Sequence, residues 1–182
     1  DVADIDIDSI ELDNQSIANG VKVLGGTVGT KVLKSDRINI SNVTGSTSMP
    51  FMSAIYLGDD NAEPNTKNGQ VDNIAVHNLS VNLSDGTPNS LIKIEGSATS
   101  LEIPNITISD ITFSSDMSAM VSNTGKVKNL SVQDVQGNTK TDATNAILQN
   151  TGIPWAHIDH LAISNINLAY AEIGRASCRA RL

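Results

Sequence analysis

One pattern of apolar and polar positions recurs six times along the chain. Each copy has an apolar residue, one intervening residue, a second apolar residue, two further residues and a third apolar residue. The first two apolar positions lie two apart, so in a β-strand they share one face. The third position breaks this alternation and reaches the same face only if the chain bends before it. The copies occupy residues 4–10, 37–43, 73–79, 105–111, 129–135 and 160–166.

The residue just before the third apolar position is a small polar residue in every copy. Asn and Asp tolerate left-handed backbone angles and hydrogen-bond to nearby backbone groups. Each copy therefore predicts a strand, a one-residue corner and another strand. Stacked corners would form a ladder of mainly Asn and Asp side chains. The predicted corner residues are Ser9, Asn42, Asn78, Asp110, Asp134 and Asn165.

A second kind of short apolar strand is predicted between the copies, at residues 20–24, 54–57, 91–94, 119–121 and 146–148. The corners recur every 24 to 36 residues, and a period of this order indicates a solenoid. We therefore predict an all-β fold, a right-handed parallel β-helix of about six coils with three strands per coil. The alternative is a β-sandwich of short strands. It fits less well because sandwich strands do not repeat one motif so faithfully.

The last eleven residues, 172–182, break the strand pattern. Residues 172–179 resemble the translation of a common sequencing-library adapter. We interpret residues 172–182 as read-through and exclude them from the fold, as one would a cloning scar. The predicted domain is then residues 1–171, which we expect to be truncated at both ends. The sole cysteine, Cys178, falls in the excluded segment.

Charge and composition narrow the classes of partner. The chain has 20 acidic and 12 basic residues, a net charge of −8, and only 3% aromatic residues. An acidic surface repels nucleic acid and anionic membranes, so we expect no nucleic-acid partner. Membrane insertion is also not expected, because no apolar run is long enough to span a bilayer. The composition is normal for secreted or cell-surface proteins, and that is the location we expect.

The coils resemble the pectate-lyase-like β-helix superfamily, and within it the polygalacturonase-type glycoside hydrolases. Residues 73–81, 105–113 and 54–57 carry the resemblance, which extends over residues 1–170. It implies hydrolysis of an acidic polysaccharide by paired carboxylates. The positions that match the family's acid pair do not hold two acids, and its Gly-His-Gly motif is absent. No catalytic residue is identified, and whether the chain is an enzyme stays open.

The first three candidate ligand-binding residues lie on or beside the second kind of strand. Tyr56, Lys93 and Glu95 should point outward from one sheet, where they could line a shallow groove for a glycan. In the next two coils we expect Val121 and Leu148 at the position of Tyr56. That substitution would make the stripe apolar and would favour covering by a loop over a sugar groove.

Asp59 and Asp60 are the remaining candidates, in the long loop of residues 58–70. Together with Glu63 they offer the oxygen ligands that Ca²⁺ takes, although a solvated loop is the commoner role of such acids. No other cofactor is implied. The histidines, His77, His157 and His160, are too scattered in sequence to predict a zinc site, so no metal site is assigned.

Two functions are compatible with these features. The first is the β-helical portion of a secreted or cell-surface carbohydrate-active protein that binds or degrades polysaccharide. The second is a non-enzymatic adhesin, spike or structural stalk, because a solenoid supplies a stiff rod with a long side wall. The last coil, residues 160–170, would expose a stacking edge, so we expect the expressed chain to self-associate.

Overall fold

Two kinds of strand alternate along the chain in a computed structural model. The structure describes residues 1–13, 19–28, 31–47, 53–58, 69–83, 90–114, 117, 119–139, 146–150 and 153–170. Within these ranges the long strands are β1 (Val2–Asp13), β4 (Lys31–Thr47), β7 (Ile74–Leu83), β9 (Ile103–Ser114), β11 (Lys126–Thr139) and β13 (His157–Tyr170). The shorter strands are β2 (Asn19–Leu24), β3 (Gly26–Val28), β5 (Ser53–Gly58), β6 (Gln70–Val71), β8 (Ser90–Glu95), β10 (Ala119–Asn123) and β12 (Ala146–Asn150).

All of these strands except β3, which pairs antiparallel with β4, belong to two parallel sheets. The long strands stack in the order β1-β4-β7-β9-β11-β13, and five shorter strands stack in the order β2-β5-β8-β10-β12. Every long strand except β13 is followed in sequence by a strand of the second sheet. The chain forms about four turns of a parallel β-solenoid, fewer than the six coils predicted. The predicted solenoid is confirmed. The parallel pairing rules out the antiparallel β-sandwich.

Two strands per coil are seen in the described residues, where three were predicted. The reason is that each long strand continues through its corner: the pairing skips the corner residue and resumes at the residue after it. On β9, Ile106 and Ile108 are buried, Ser109 and Asp110 are not, and Ile111 is buried again. Asp110 has a φ of 56°, in the left-handed region, and this one residue turns the next apolar side chain inward.

All the predicted corner residues adopt the same conformation. Their φ values lie between 53° and 58°. A second set of residues also has left-handed backbone angles. They lie immediately before the first apolar position of the pattern, where the sequence had not predicted a bend. These are Asp4, Arg37 and Asn73, with φ values of 56°, 49° and 45°.

The core fills the space between the sheets with columns of identical or similar side chains. Ile38, Ile74 and Ile106 occupy one register position on successive strands and are at most 3% exposed. In-register parallel pairing places equivalent residues of successive strands side by side, so the outward-facing side chains also form columns. The polar columns on the outside of the long strands contain the candidate site. No helix in the described ranges is long and apolar enough to cross a membrane.

Candidate functional site

The corner residues form a ladder of side-chain hydrogen bonds on the outer face of the long strands. Asn42 donates from Nδ2 to Oδ1 of Asp8, and Asn78 donates in turn to Oδ1 of Asn42. Farther along, Asn165 donates to Oδ1 of Asp134 at 2.9 Å. Parallel strands lie about 4.8 Å apart, which lets an amide donate to the strand before it while its oxygen accepts from the strand after it.

A second ladder runs beside the first, and the sequence had not predicted it. Asn73 donates from Nδ2 to Asp36 at 2.8 Å, Asn105 to Asn73 at 2.7 Å, and Asn129 to Asn105 at 2.9 Å. The available signal was the repeated Asn immediately before the first apolar position of the pattern. Residues 73–79, 105–111 and 129–135 all begin with Asn.

An acidic residue ends each ladder on the side towards β1: Asp8 on β1 ends the corner ladder, and Asp36 on β4 ends the second. Arg37 donates from Nε and Nη2 to the two carboxylate oxygens of Asp4, at 2.6 and 2.8 Å. Hydrogen bonding to Arg37 lowers the pKa of Asp4. Asp8 accepts hydrogen bonds from Ser41, Asn42 and Ser9, and these lower its pKa to about 2. The arrangement holds both carboxylates in the ionised form.

The hydrogen bonding of the corner ladder changes where two acids occupy consecutive corners. Asp110 on β9 and Asp134 on β11 occupy equivalent corners, because the residues on either side of them pair in register. Ionised carboxylates only accept hydrogen bonds, so neither can donate to the other as an Asn would. An open groove of about 360 Å³ lies here, which we call the corner groove. It is lined by Asn78, Asp110, Ile111, Thr112, Asp134, Val135, Gln136, Asn165 and Asn167.

The corner groove contains groups suited to hydroxyl-rich molecules. Its carboxylates accept hydrogen bonds, its amides both donate and accept, and the Thr112 hydroxyl does either. Asp110, Asp134 and Asn165 are exposed. The sequence had predicted these residues only as structural corners. Two consecutive Asp residues in a column otherwise mainly of Asn were the sequence signal that the ladder changes here.

The predicted ligand residues on the second sheet lie together but are largely covered. Tyr56 pairs in register with Lys22 and with Lys93, and only 3% of Tyr56 is exposed. The ammonium groups of Lys22 and Lys93 lie 5.2 and 5.3 Å from the centroid of its ring, which is cation–π geometry. Lys93 also forms an ion pair with Glu95. Ligand binding by these three candidates stays a prediction.

The prediction that the outward-facing column becomes apolar beyond Tyr56 is wrong. Lys93 pairs with Ser122, and Ser122 pairs with Gln149, so the column remains polar. Val121 pairs with Ile92 and Leu148 and is fully buried. The register expected for these strands was displaced by one residue, and a slip of one residue moves every side chain of a strand to the other face.

Several predictions fall on residues outside the described ranges. They concern the loop acids Asp59, Asp60 and Glu63, and the C-terminal segment 172–182. The Ca²⁺ site considered for the loop and the read-through interpretation therefore stay predictions.

The chain matches no family model, no curated protein and no solved structure. A solenoid fold hosts many unrelated functions, so the fold alone does not identify an activity. Function has to be argued from the chemistry of the sites.

Proposed function

We propose that this chain is the β-solenoid portion of a secreted or cell-surface protein that binds polysaccharide along the corner groove. One observation carries the proposal. Polar side chains from four successive strands line one open groove, with Asn78 on β7, Asp110 on β9, Asp134 on β11 and Asn165 on β13. The strands are spaced at about 4.8 Å, close to the length of one sugar unit in an extended glycan.

The charge of the groove favours a neutral glycan. Asp110 and Asp134 are flanked by amides, and the net charge of the whole chain is −8. A polymer of uronic acids would be repelled by this field. Sugar hydroxyls would instead donate to the carboxylates, and hydrogen bonds to an ionised acceptor are stronger than those to a neutral one.

The spacing of Asp110 and Asp134 is a reason to measure polysaccharide cleavage as well as binding. In retaining glycosidases the two catalytic carboxyl groups stand about 5 to 5.5 Å apart. Adjacent parallel strands bring Asp110 and Asp134 to a comparable backbone spacing. Assays of binding and of cleavage therefore use the same pair of substitutions.

The proposal also covers the handedness of the coil and the number of strand segments per coil. We take the coil to be right-handed, because parallel strand crossovers are right-handed in nearly all proteins. Counting the two arms of each bent long strand separately gives three strand segments per coil. The left-handed corner residues support this description. With these features the chain would be a member of the pectate-lyase-like superfamily.

The test is binding of the full chain to a panel of soluble neutral and acidic glycans by affinity electrophoresis and calorimetry. We expect the double substitution Asp110→Asn and Asp134→Asn to weaken binding of a neutral glycan at least tenfold. Asn keeps the preference for left-handed backbone angles. The matched control is Asp6→Asn with Glu11→Gln, which removes the same charge on β1 and should leave affinity unchanged.

Release of reducing ends by the wild type, abolished in the Asp110 and Asp134 double variant, would extend the proposal from binding to hydrolysis. A folded wild type that binds none of the glycans would overturn it. So would a double variant with wild-type affinity.

A structural stalk or adhesin is the second candidate function, favoured by the two side-chain ladders. They cross several successive long strands of the sheet, and such a wall stiffens a rod built from repeats. A folded chain without glycan binding would favour this candidate.

A further inference from the structure

Three side chains with metal-ligand chemistry meet at the start of β9 and β13, away from the corner groove. Glu102 immediately precedes β9, and His157 and Asp159 lie two residues apart on β13, on the same face of that strand. One ligand atom from each residue can be chosen so that all three lie within 4.8 Å of one another. The cluster joins the outer two of three adjacent strands, with β11 between them.

The distances within the cluster fit a shared ion better than direct hydrogen bonds. Nε2 of His157 lies 3.6 Å from Oε2 of Glu102 and 3.8 Å from Oδ1 of Asp159. Hydrogen bonds between nitrogen and oxygen are usually about 2.7 to 3.2 Å long. Two ligands bound tetrahedrally to zinc, each about 2.1 Å from it, stand about 3.4 Å apart.

A separate contact outside the cluster sets the tautomer of His157. Its Nδ1 lies 3.0 Å from the carbonyl oxygen of Trp155. A carbonyl only accepts hydrogen bonds, so Nδ1 carries the hydrogen. In the neutral ring the lone pair is then on Nε2, the atom that faces Glu102 and Asp159. Metal-bound histidines are commonly oriented by such a hydrogen bond from their other ring nitrogen.

A cation on the intervening strand is directed elsewhere. Lys126 pairs in register with His157 on the intervening strand. Its ammonium donates to the carbonyl oxygens of Ala98 and Ser100, at 2.8 and 3.0 Å. These bonds draw the charge of Lys126 towards the turn at residues 98–99. Lys128, the other lysine of this strand, is exposed to solvent, which screens its charge.

We propose that Glu102, His157 and Asp159 bind a divalent transition-metal ion of the zinc type. One imidazole and two carboxylates are ligands that zinc accepts, and three protein ligands leave a fourth position for water or another molecule. The side chains of the three ligands are between 39% and 47% exposed, so an ion can enter from solvent. The bound ion would clamp β9 to β13 across β11.

The test is titration of the full chain with Zn²⁺, in a Cys178→Ser background that removes the sole thiol as a competing ligand. Trp155 is the sole tryptophan, so its fluorescence reports the site directly, and calorimetry gives the stoichiometry. We expect one ion per chain, and His157→Gln should weaken binding at least tenfold. His160→Gln is the matched control, because His160 is an exposed histidine on the same strand but outside the cluster.

Thermal denaturation provides the second readout. An ion that binds only the folded chain raises the melting temperature, so Zn²⁺ should stabilise the parent chain and His160→Gln but not His157→Gln. Equal affinity of the parent and His157→Gln would overturn the proposal, as would equal losses in both histidine variants. A folded parent chain without saturable Zn²⁺ binding would also overturn it and leave the cluster as an ion pair.

Discussion

At the scale of single residues, the stability of the ladders depends on the ionisation of the acids at the β1 end. Asp8 accepts three side-chain hydrogen bonds, from Ser41, Asn42 and Ser9, and its pKa is lowered to about 2. An unperturbed Asp titrates near 3.9. A lowered pKa in the folded state contributes stability above the unfolded value, and that stability is lost as the pH falls from about 4 to about 2.

We therefore predict that Asp8→Asn reduces the acid sensitivity of the fold. The wild type should lose melting temperature between about pH 5 and pH 2, and the variant should lose less, because residue 8 no longer binds a proton. Circular dichroism melts at several pH values measure this. Glu11→Gln on the same strand is the control and should keep the wild-type pH dependence. Parallel curves for the wild type and Asp8→Asn would contradict the prediction.

The corner residues could be predicted from their position in the repeated pattern and from residue type, because a bend in a strand needs a residue that tolerates positive φ. The second set of bends could not. Arg37 has a φ of 49°, a conformation that its type does not suggest. Its guanidinium is bound by both oxygens of Asp4, a contact 33 residues away in sequence that only the coil spacing creates.

At the scale of strands, one glycine marks a close approach of two coils. Gly45 on β4 pairs with Leu12 on β1 and has a φ of 142°. A Cβ atom at this position would stand 2.1 Å from the carbonyl oxygen of Leu12. Backbone atoms cannot yield as the end of a flexible side chain would, so the strand would have to move.

We predict that Gly45→Ala destabilises the fold by about 1 to 3 kcal/mol, the usual cost of a strained backbone position. Urea denaturation at equilibrium measures this cost. Ser46→Ala, an exposed change at the next residue, is the control and should alter stability by less than about 0.5 kcal/mol. A Gly45→Ala variant as stable as the wild type would show that the coils can separate at this point without cost.

The strands of the second sheet were harder to place than those of the first. Every residue of β5 is buried, so it lacks the alternation of exposed and buried positions that reveals the register of a half-exposed strand. This explains the one-residue error at Val121.

The corner groove was missed for a different reason. Its depth depends on how four coils stack, and the sequence pattern describes only one coil at a time.

At the scale of the whole molecule, the core columns end in partly exposed residues. Ile5 and Ile7 on β1 are half-buried, and Ile163 on β13 is 37% exposed. In the part of the chain that the structure describes, β1 and β13 are the terminal strands of the long sheet. An edge with free backbone groups and apolar side chains can pair with another chain.

The two ends of the solenoid should not associate equally. The outer face of β1 carries Asp4, Asp6 and Asp8, and two such edges repel each other. We therefore predict concentration-dependent self-association that uses the β13 edge, seen as a rising weight-average mass in sedimentation velocity. Ile163→Lys places a charge on that edge and should reduce the association. Ala162→Lys, on the outward side of the same strand, should not.

Both variants must retain the β-sheet circular dichroism of the wild type for this comparison to be valid. A monodisperse wild-type monomer across the concentration range would contradict the prediction. Equal association of Ile163→Lys and the wild type would place the contact away from the β13 edge. Dissociation by added salt would also count against an apolar contact, because salt weakens attraction between exposed opposite charges and leaves apolar contacts intact or strengthened.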